Sequence, residues 1–242
     1  MSSIYPTDHR SPGGPLAGAL ARVTMAGYVL PALSFYSQTL RRSLGVEDRT
    51  STGRGCAITF DDGPHARGTP AVLDVLAKHD VKATFFLVGE QVLRNPSIPR
   101  ELVAAGHRIG LHCHRHRNLL RLAPWQVRED LAQAQAAIEE ATGVYPTLYR
   151  PPYGILNATA LRRARHAGQR TLLWTHWGRD WEPNATPESI AMRVTDGIGE
   201  GSVLLLHDAD DYSASGSWER TALALPRVLD ALAKLGLDAV AP

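Results

Sequence analysis

The sequence CAITFDDG at residues 56–63 begins as a strand and ends in two carboxylates and a glycine. Its apolar, β-branched and aromatic residues are typical of a buried strand, and the acidic pair marks its end. Six similar runs follow, separated by longer helical patterns, which is the pattern of βαβ units with parallel strands. The seven runs cover residues 56–60, 83–88, 107–112, 145–150, 171–175, 202–207 and, more weakly, 237–240. The sequence therefore predicts an α/β fold.

Composition narrows the class of protein. The chain has 242 residues, which fits one large domain, and its 26 Lys and Arg against 24 Asp and Glu leave a net charge of +2. This balance gives no electrostatic reason to expect a nucleic-acid partner. The two cysteines, Cys56 and Cys113, are too few for a disulfide framework or a four-cysteine zinc site. We expect a soluble-type globular domain that binds an uncharged ligand.

The first 54 residues lack the strand and helix alternation. We predict an N-terminal extension over residues 1–54 and a catalytic domain over residues 55–242. An apolar run over residues 16–36, interrupted by Arg22, predicts a helix that packs on the domain or lies on a membrane surface. The run has neither a clear cleavage site nor the uncharged length of a spanning helix. We therefore expect a cytoplasmic or membrane-associated protein rather than a freely secreted one.

Polar side chains gather directly after five of the predicted strands. The clusters are Asp61–Gly63, His112–His116, Arg150–Gly154, Asp180 with Trp181, and His207 with Asp208. In parallel barrels the loops after the carboxyl ends of the strands carry the catalytic groups. The clusters are therefore predicted to form one site.

The first two clusters contain candidate metal ligands. Adjacent carboxylates at Asp61 and Asp62 repel each other unless a positive charge neutralises them, although an Asx-turn explains them taken alone. His112 and His116 have the i, i+4 spacing that places two rings on one side of a helical turn, whereas His112 would pair with His114 if the strand continued. Two histidines and one carboxylate leave open positions, as in catalytic zinc sites. A solvated basic loop is the alternative.

The segment RPPYG at residues 150–154 offers a candidate anion donor. Its two prolines have no N–H, so the Tyr153 amide is the first donor after Arg150. Such an amide could stabilise an oxyanion, and a rigid surface turn is the alternative.

His207 ends an apolar run and is either a core histidine or a general acid. Asp180 could accept a hydrogen bond from its ring and raise its pKa, as a proton donor near neutral pH requires. Trp181 and Leu205 are apolar and would belong to either the core or a pocket wall.

Together these segments resemble the carbohydrate esterase family 4 polysaccharide deacetylases, the NodB-homology domain, from about Cys56 to the C-terminus. TFDDG at 59–63 is similar to the first motif of that family, HCHRH at 112–116 to its His-x-x-x-His, and RPPYG at 150–154 to its third motif. GRDW at 178–181 and LLHD at 205–208 are similar to the fourth and fifth motifs.

The resemblance implies a distorted (β/α)7 barrel, which periodicity alone does not distinguish from an open sheet. It implies that Asp62, His112 and His116 hold a divalent metal, usually Zn2+, with Co2+ or Ni2+ as alternatives. It also implies that Asp61 is the general base, oriented by Arg150, and that the Tyr153 amide binds the oxyanion. His207 would be the general acid, with its pKa tuned by Asp180. Trp181, Leu205 and Tyr153 would form the walls of the substrate pocket.

Two residues depart from the family pattern. Cys113 stands where Ser or Thr is usual, and a thiol beside a metal could perturb metal affinity or oxidise. Trp177 replaces the first acidic residue of the fourth motif, which leaves open the pairing around Arg150 or the shape of a sugar-contacting loop. The loop after His207 contains Tyr212 and Trp218, and its composition suits either sugar stacking or an ordinary solvent loop.

The expected function is a metal-dependent hydrolase that removes N-acetyl groups from an N-acetylglucosamine-containing glycan, peptidoglycan or chitin-like, and releases acetate. Water activated by the metal and Asp61 would attack the carbonyl, and His207 would protonate the amine. An O-acetyl esterase of the xylan type and a non-catalytic carbohydrate-binding module are the alternatives. The glycan, the native metal, the compartment and the oligomeric state stay open.

Overall fold

The computed structural model describes residues 25–51 and 54–242. Its strands are β1 (Val46–Glu47), β2 (Cys56–Asp61), β3 (Thr84–Val88), β4 (Arg108–Cys113), β5 (Leu148–Tyr149), β6 (Arg170–Leu172), β7 (His176–Trp177) and β8 (Ser202–His207). Its α-helices are α1 (Gln38–Ser43), α2 (Gly68–Lys78), α3 (Gly89–Arg94), α4 (Ile98–Ala104), α5 (Pro124–Thr142), α6 (Ala158–His166), α7 (Pro187–Thr195) and α8 (Ser217–Lys234). Short 3-10 helices lie at Leu30–Phe35, Leu119–Arg121 and Pro152–Gly154.

The strands form one parallel sheet in the order β1-β6-β5-β4-β3-β2-β8-β7. The sheet is curled. Its inward-facing side chains from five strands pack against one another in a single small cluster, which a flat sheet would not allow. That cluster contains Ala57, Phe86, Leu148, Leu172 and Val203. The predicted distorted barrel is therefore confirmed. Its strands follow the order given above and do not close into a regular ring.

The side chains of β2 point alternately towards the helices outside the sheet and into the barrel interior. Ile58 and Phe60 belong to the large core between the sheet and the helices, and the Phe60 ring stacks on Phe85 at 5.0 Å between centroids. Thr59 and Asp61 point the opposite way, into the barrel, because successive strand side chains face opposite sides. The carboxylate that ends β2 is thereby delivered to the interior.

Two helices near the site begin at side-chain caps. Asn157 Oδ1 accepts a hydrogen bond from Ala160 N at 2.9 Å, and Thr186 Oγ1 accepts one from Ser189 N at 3.2 Å. Each cap satisfies a backbone donor that the first helical turn leaves without a partner.

The strand predictions succeed for the longer runs and fail for the shortest strands. The weak run at 237–240 contributes only a bridge from Ala239 to Cys56, and the run at 171–175 shortens to β6. Strands β1 and β7 were not predicted, because two residues are too few to establish a period of two.

The apolar run at residues 16–36 is described only from Met25 onward, and its earlier part lies outside the described residues. Residues 25–29 are helical and Leu30–Phe35 form a 3-10 helix. The Tyr28 hydroxyl donates a hydrogen bond to Leu122 O at 2.6 Å, so this segment contacts the barrel domain. No helix within residues 25–51 and 54–242 has the length and hydropathy needed to cross a membrane. The boundary between residues 54 and 55 stays a prediction.

Candidate active site

The predicted site residues meet around a cavity of about 220 Å³ beyond the carboxyl ends of β2, β4 and β8. Its lining residues are Asp61, Asp62, His112, His116, Tyr153, Trp174, Trp177, Trp181, Leu205, His207, Tyr212 and Ser213. Arg150 and Asp180 lie behind this lining, each bonded to one of its members. A larger cavity of about 470 Å³, lined in part by Lys82 and His107, contains none of the predicted groups.

Asp61 is held by a guanidinium that water does not reach. Arg150 Nη1 lies 2.8 Å from Asp61 Oδ1 and 2.7 Å from Thr59 Oγ1, and the Arg150 side chain is 0% exposed. Its Nε and Nη2 donate to the carbonyl oxygens of Leu172 and Leu173, both at 3.0 Å. Each of the three guanidinium nitrogens therefore has a hydrogen-bond partner, as a buried arginine requires.

Trp177 replaces an acid of the family pattern, which left open how Arg150 is paired. In the structure Arg150 also donates to Thr59 and to two main-chain carbonyls, so its nitrogens have partners without a second acid. The guanidinium also lies 4.1 Å above the Phe86 ring, in cation–π geometry.

The adjacent carboxylate has different partners. Asp62 Oδ1 lies 3.4 Å from Nε2 of His112 and 3.4 Å from Nε2 of His116. His112 belongs to β4, whereas His116 lies in the loop that follows, so the helical turn expected for this pair is wrong. The turn of the loop, rather than an i, i+4 helix repeat, brings the two rings to 5.3 Å. His114 is not part of this set.

Asp62, His112 and His116 fit a divalent cation. Each offers one ligand atom, and these atoms lie within 4.8 Å of one another. Asp62 Oδ1 is buried without a hydrogen bond in the described structure. Burial opposes ionisation of Asp62, yet contact with His112 and the positive charge of the nearby His207 hold its pKa below the ordinary value. Burial lowers the pKa of His116 to about 4, so its ring is neutral and keeps a lone pair for a metal.

The two histidines are oriented by different means. His112 Nδ1 lies 2.7 Å from the Arg150 carbonyl oxygen, which can only accept, so Nδ1 carries the hydrogen and Nε2 faces Asp62. His116 Nδ1 is buried without a hydrogen bond in the described structure. Its ring lies between Tyr153, edge-on at 4.5 Å, and Tyr212, stacked at 4.6 Å. Aromatic packing therefore orients His116.

His207 is paired with a buried carboxylate. Its Nδ1 lies 2.8 Å from Asp180 Oδ1, while its backbone N–H and the Thr221 hydroxyl both donate to Asp180 Oδ2 at 2.7 Å. Burial alone would lower the pKa of His207, but the charge and hydrogen bond of Asp180 raise it to about 10. The imidazolium is thus the stable form at neutral pH.

Tyr153 occupies the turn that follows β5. Its backbone has φ 59° and ψ 9°, in the left-handed region, and its ring is 53% exposed at the rim of the cavity. A Cβ at the next residue, Gly154, would lie 2.8 Å from the Phe35 ring and 2.9 Å from Trp174. Only glycine fits this close approach.

Apolar groups complete the cavity. Leu205 is buried at its wall, and the Trp181 ring meets His207 edge-on at 5.4 Å. Trp177 lies 5.4 Å from Trp181, on the same wall. Cys113 is fully buried, and burial raises the pKa of its thiol well above the ordinary value, which favours the protonated thiol over the thiolate.

Sequence reasoning missed several supporting residues. Thr59 could have been found, because it lies two positions before Asp61 on the same strand face. Thr221 of α8 and Phe35 of the N-terminal segment come from distant parts of the chain, and no local pattern marks them. Tyr212 was noted for sugar stacking, but its ring contacts His116.

Comparisons with known proteins give a consistent picture. The family model described as Polysaccharide deacetylase matches residues 48–172. PgdA of Listeria monocytogenes, a peptidoglycan-N-acetylglucosamine deacetylase, is 34% identical over 167 residues, or 69% of this chain and 35% of that protein. This chain thus spans about a third of the length of PgdA.

Two further matches cover most of both partners. A chitooligosaccharide deacetylase of Bradyrhizobium is 35% identical over 206 residues, or 82% of this chain and 92% of that protein. The solved structure of a family 4 acetyl xylan esterase from Clostridium thermocellum, in complex with a cobalt ion, is 32% identical with a TM-score of 0.68. That match covers 76% of this chain and 86% of the esterase chain.

Proposed function

Because this chain belongs to the polysaccharide deacetylase family, we propose that it is a metal-dependent hydrolase that removes N-acetyl groups from an N-acetylglucosamine-containing glycan. One observation carries the proposal. A single cavity holds an Asp/His/His set together with a carboxylate paired to arginine and a histidine paired to aspartate. This is the equipment for hydrolysis of an amide, namely a cation site, a base and an acid.

Asp62, His112 and His116 are proposed to hold the metal, with Zn2+ as the first choice and Co2+ or Ni2+ as alternatives. Imidazole and carboxylate ligands suit zinc, and three protein ligands leave a position open for reactants. When bound, the cation supplies Lewis-acid polarisation of water and of the substrate carbonyl. The cobalt ion in the esterase structure supports a divalent ion of this class.

Asp61 is proposed as the general base. Its carboxylate accepts a proton from the attacking water, whose oxygen forms a bond to the acetyl carbon. Arg150 keeps the carboxylate aimed at the cavity through the 2.8 Å contact. The Tyr153 N–H is proposed to donate to the carbonyl oxygen as negative charge develops on it.

His207 is proposed as the general acid. Its Nδ1 is engaged by Asp180, so Nε2 is the nitrogen that gives a proton to the departing amine as the carbon–nitrogen bond breaks. The products are acetate and a glucosamine unit. Trp181 and Leu205 are proposed to enclose the acetyl methyl group, since both line the cavity with apolar surface.

The names of the relatives support a substrate built from N-acetylglucosamine, either peptidoglycan or a chitin-like oligosaccharide. The acetyl xylan esterase favours a second candidate, removal of O-acetyl groups with the same metal ligands. A third candidate is a carbohydrate-binding module without turnover.

One experiment separates these candidates. Purified protein is stripped with a chelator, and acetate release from N-acetylglucosamine oligomers and from acetylated xylan is measured before and after zinc is restored. We expect zinc-dependent release, faster from the oligomers. Faster release from xylan would favour the esterase, and binding of oligomers by zinc-loaded protein without release from either would leave only the binding module.

We also propose that residues 16–36 can associate with a membrane surface. Met25, Leu30, Leu33 and Tyr36 expose large apolar side chains. Sedimentation with lipid vesicles tests this, and protein that stays in the supernatant at every lipid concentration would exclude it.

A further inference from the structure

A row of aromatic side chains leads from the cavity to the N-terminal segment. We call this row the aromatic track and define it as Trp181, Trp177, Phe35 and Tyr36. Successive ring centroids are 5.4 Å, 6.2 Å and 5.0 Å apart. Trp181 and Trp177 line the cavity, whereas Tyr36 at the other end is 85% exposed. The track is therefore continuous with the proposed acetyl site.

The segment that supplies Phe35 and Tyr36 is fixed to the barrel. Arg41 Nη1 donates to the carbonyl oxygens of Ser34 at 3.0 Å and Phe35 at 3.2 Å, and Arg41 Nε pairs with Asp48 Oδ2 at 3.1 Å. Strand β1, which follows, pairs with β6. The Tyr28 contact with Leu122 before the aromatic pair and the pairing of β1 after it therefore anchor the segment on both sides and hold those rings in a defined place.

Phe35 packs directly on the wall of the site. Its ring lies 5.8 Å from Trp174 and occupies the space beside Gly154 that a side chain would fill. All four residues of the track are uncharged. Arg179 places its guanidinium 5.2 Å from the Trp177 ring; its Nη1 lies 3.5 Å from Glu182 Oε1, and its other nitrogens offer donors at the edge of the track.

We propose that the aromatic track binds the sugar ring next to the one whose acetyl group enters the cavity, so that the N-terminal segment is part of the substrate site. This inference rests on the proposed function. Sugar rings present apolar C–H faces and polar edges, which match neutral aromatic faces bordered by a guanidinium donor. A half-exposed apolar surface continuous with a polar cavity is typical of a ligand groove.

The test compares kcat/KM for N-acetylglucosamine and for its tetramer, with zinc-loaded protein. The variants are Phe35→Ala and Tyr36→Ala, and the control is Trp125→Ala, an aromatic of 63% exposure outside the cavity lining. We expect each track variant to lower the tetramer-to-monomer ratio by about tenfold, the value of roughly 1.4 kcal/mol of buried apolar contact. The control should leave the ratio as in wild type.

Tetramer binding is measured in parallel by tryptophan fluorescence, in zinc-loaded protein that also carries Asp61→Asn to prevent turnover. Weaker binding in the track variants supports the track even if wild type releases no acetate, in which case only the proposed function fails. If wild type releases acetate but every variant keeps the wild-type ratio and tetramer affinity, the track proposal is overturned and the proposed function stands. Tyr36→Ala decides the matter should Phe35→Ala not fold, because Tyr36 is a surface residue.

Discussion

The cavity has two halves that are built on different principles. The polar half, with Asp61, Asp62 and His207, is supplied by strand ends; both carboxylates are buried, His207 is largely buried, and Asp61 and His207 pair with the buried Arg150 and Asp180. The aromatic half, with Trp174 and Trp177, lies in and beside the short strand β7; its rings are half-buried and pack against Phe35 of the N-terminal segment. The first half holds charged groups in place through hydrogen bonds, and the second offers apolar surface.

This difference separates chemistry from binding. Buried charges need complete hydrogen bonding, so a change in the polar half affects several partners at once. Aromatic surface contributes in proportion to the area it covers, so changes there act in small steps. Substitutions in the polar half should therefore affect turnover most, and those near the aromatic half should change binding.

The largest effect is expected from Asp61→Asn. The amide can still accept from Arg150, but it cannot take a proton from water, so acetate release should fall by about 10³-fold. Zinc affinity, measured by chelator competition, should stay near the wild-type value because Asp61 is not in the ligand set. The matched variant Asp62→Asn should lose zinc affinity as well. Full activity of Asp61→Asn would exclude this residue as the base.

Arg150→Met tests the buried pairing itself. It leaves the Asp61 carboxylate buried without its cation, which should lower the free energy of unfolding by about 3–5 kcal/mol. Denaturant unfolding at neutral pH measures the change. A loss below 1 kcal/mol would mean that water reaches Asp61 in solution.

Asp180→Asn should change the pH dependence. Burial would lower the pKa of His207, but Asp180, with smaller contributions from Asp62 and Asp61, raises it from 6.5 to about 10. The proposed acid therefore stays protonated through neutral pH, and the alkaline limb of kcat/KM should lie well above neutral pH. The same shift stabilises the fold below pH 6.5, and that contribution is lost as the pH rises through about 10. In Asp180→Asn the alkaline limb should move towards neutral pH, with a loss of about 10–100-fold at pH 8.

Thr221→Val is the milder companion of that variant. It removes one hydrogen-bond donor to Asp180, so it should shift the alkaline limb of kcat/KM less than Asp180→Asn does. pH–rate profiles measure the shift. Superimposable profiles for wild type and Asp180→Asn would show that a group other than His207 sets the alkaline limb.

The smallest effect is expected where an aromatic ring supports a proposed metal ligand. Tyr212→Leu removes the ring stacked on His116 and should weaken zinc binding by about tenfold, the lower end of the effects seen for groups that support metal ligands. Tyr212→Phe keeps the ring and should bind zinc nearly as well as wild type. Equal losses in both variants would instead assign the effect to the hydroxyl contact with Glu90.

The polar half could largely be predicted from sequence, since Asp61, Asp62, His112 and His207 directly end strands whose periodicity is visible. The partners of Arg150 could not, because Leu172 and Leu173 accept through main-chain carbonyls that any residue would supply. The place of Phe35 depends on a strand of two residues, β1, whose pairing with β6 has no sequence signal. Long local patterns are therefore readable, and contacts between distant short segments are not.

Arg150 also joins parts of the barrel that are not neighbours in the sheet. Its guanidinium binds Thr59 and Asp61 of β2 at one side and the Leu172 carbonyl of β6 at the other, across the interior. A fluctuation that draws β6 away from β2 must break this bridge at one of its ends. If Arg150 leaves Asp61, the carboxylate loses its orientation, so activity is expected to fall at temperatures where the barrel opens locally, before the chain unfolds as a whole.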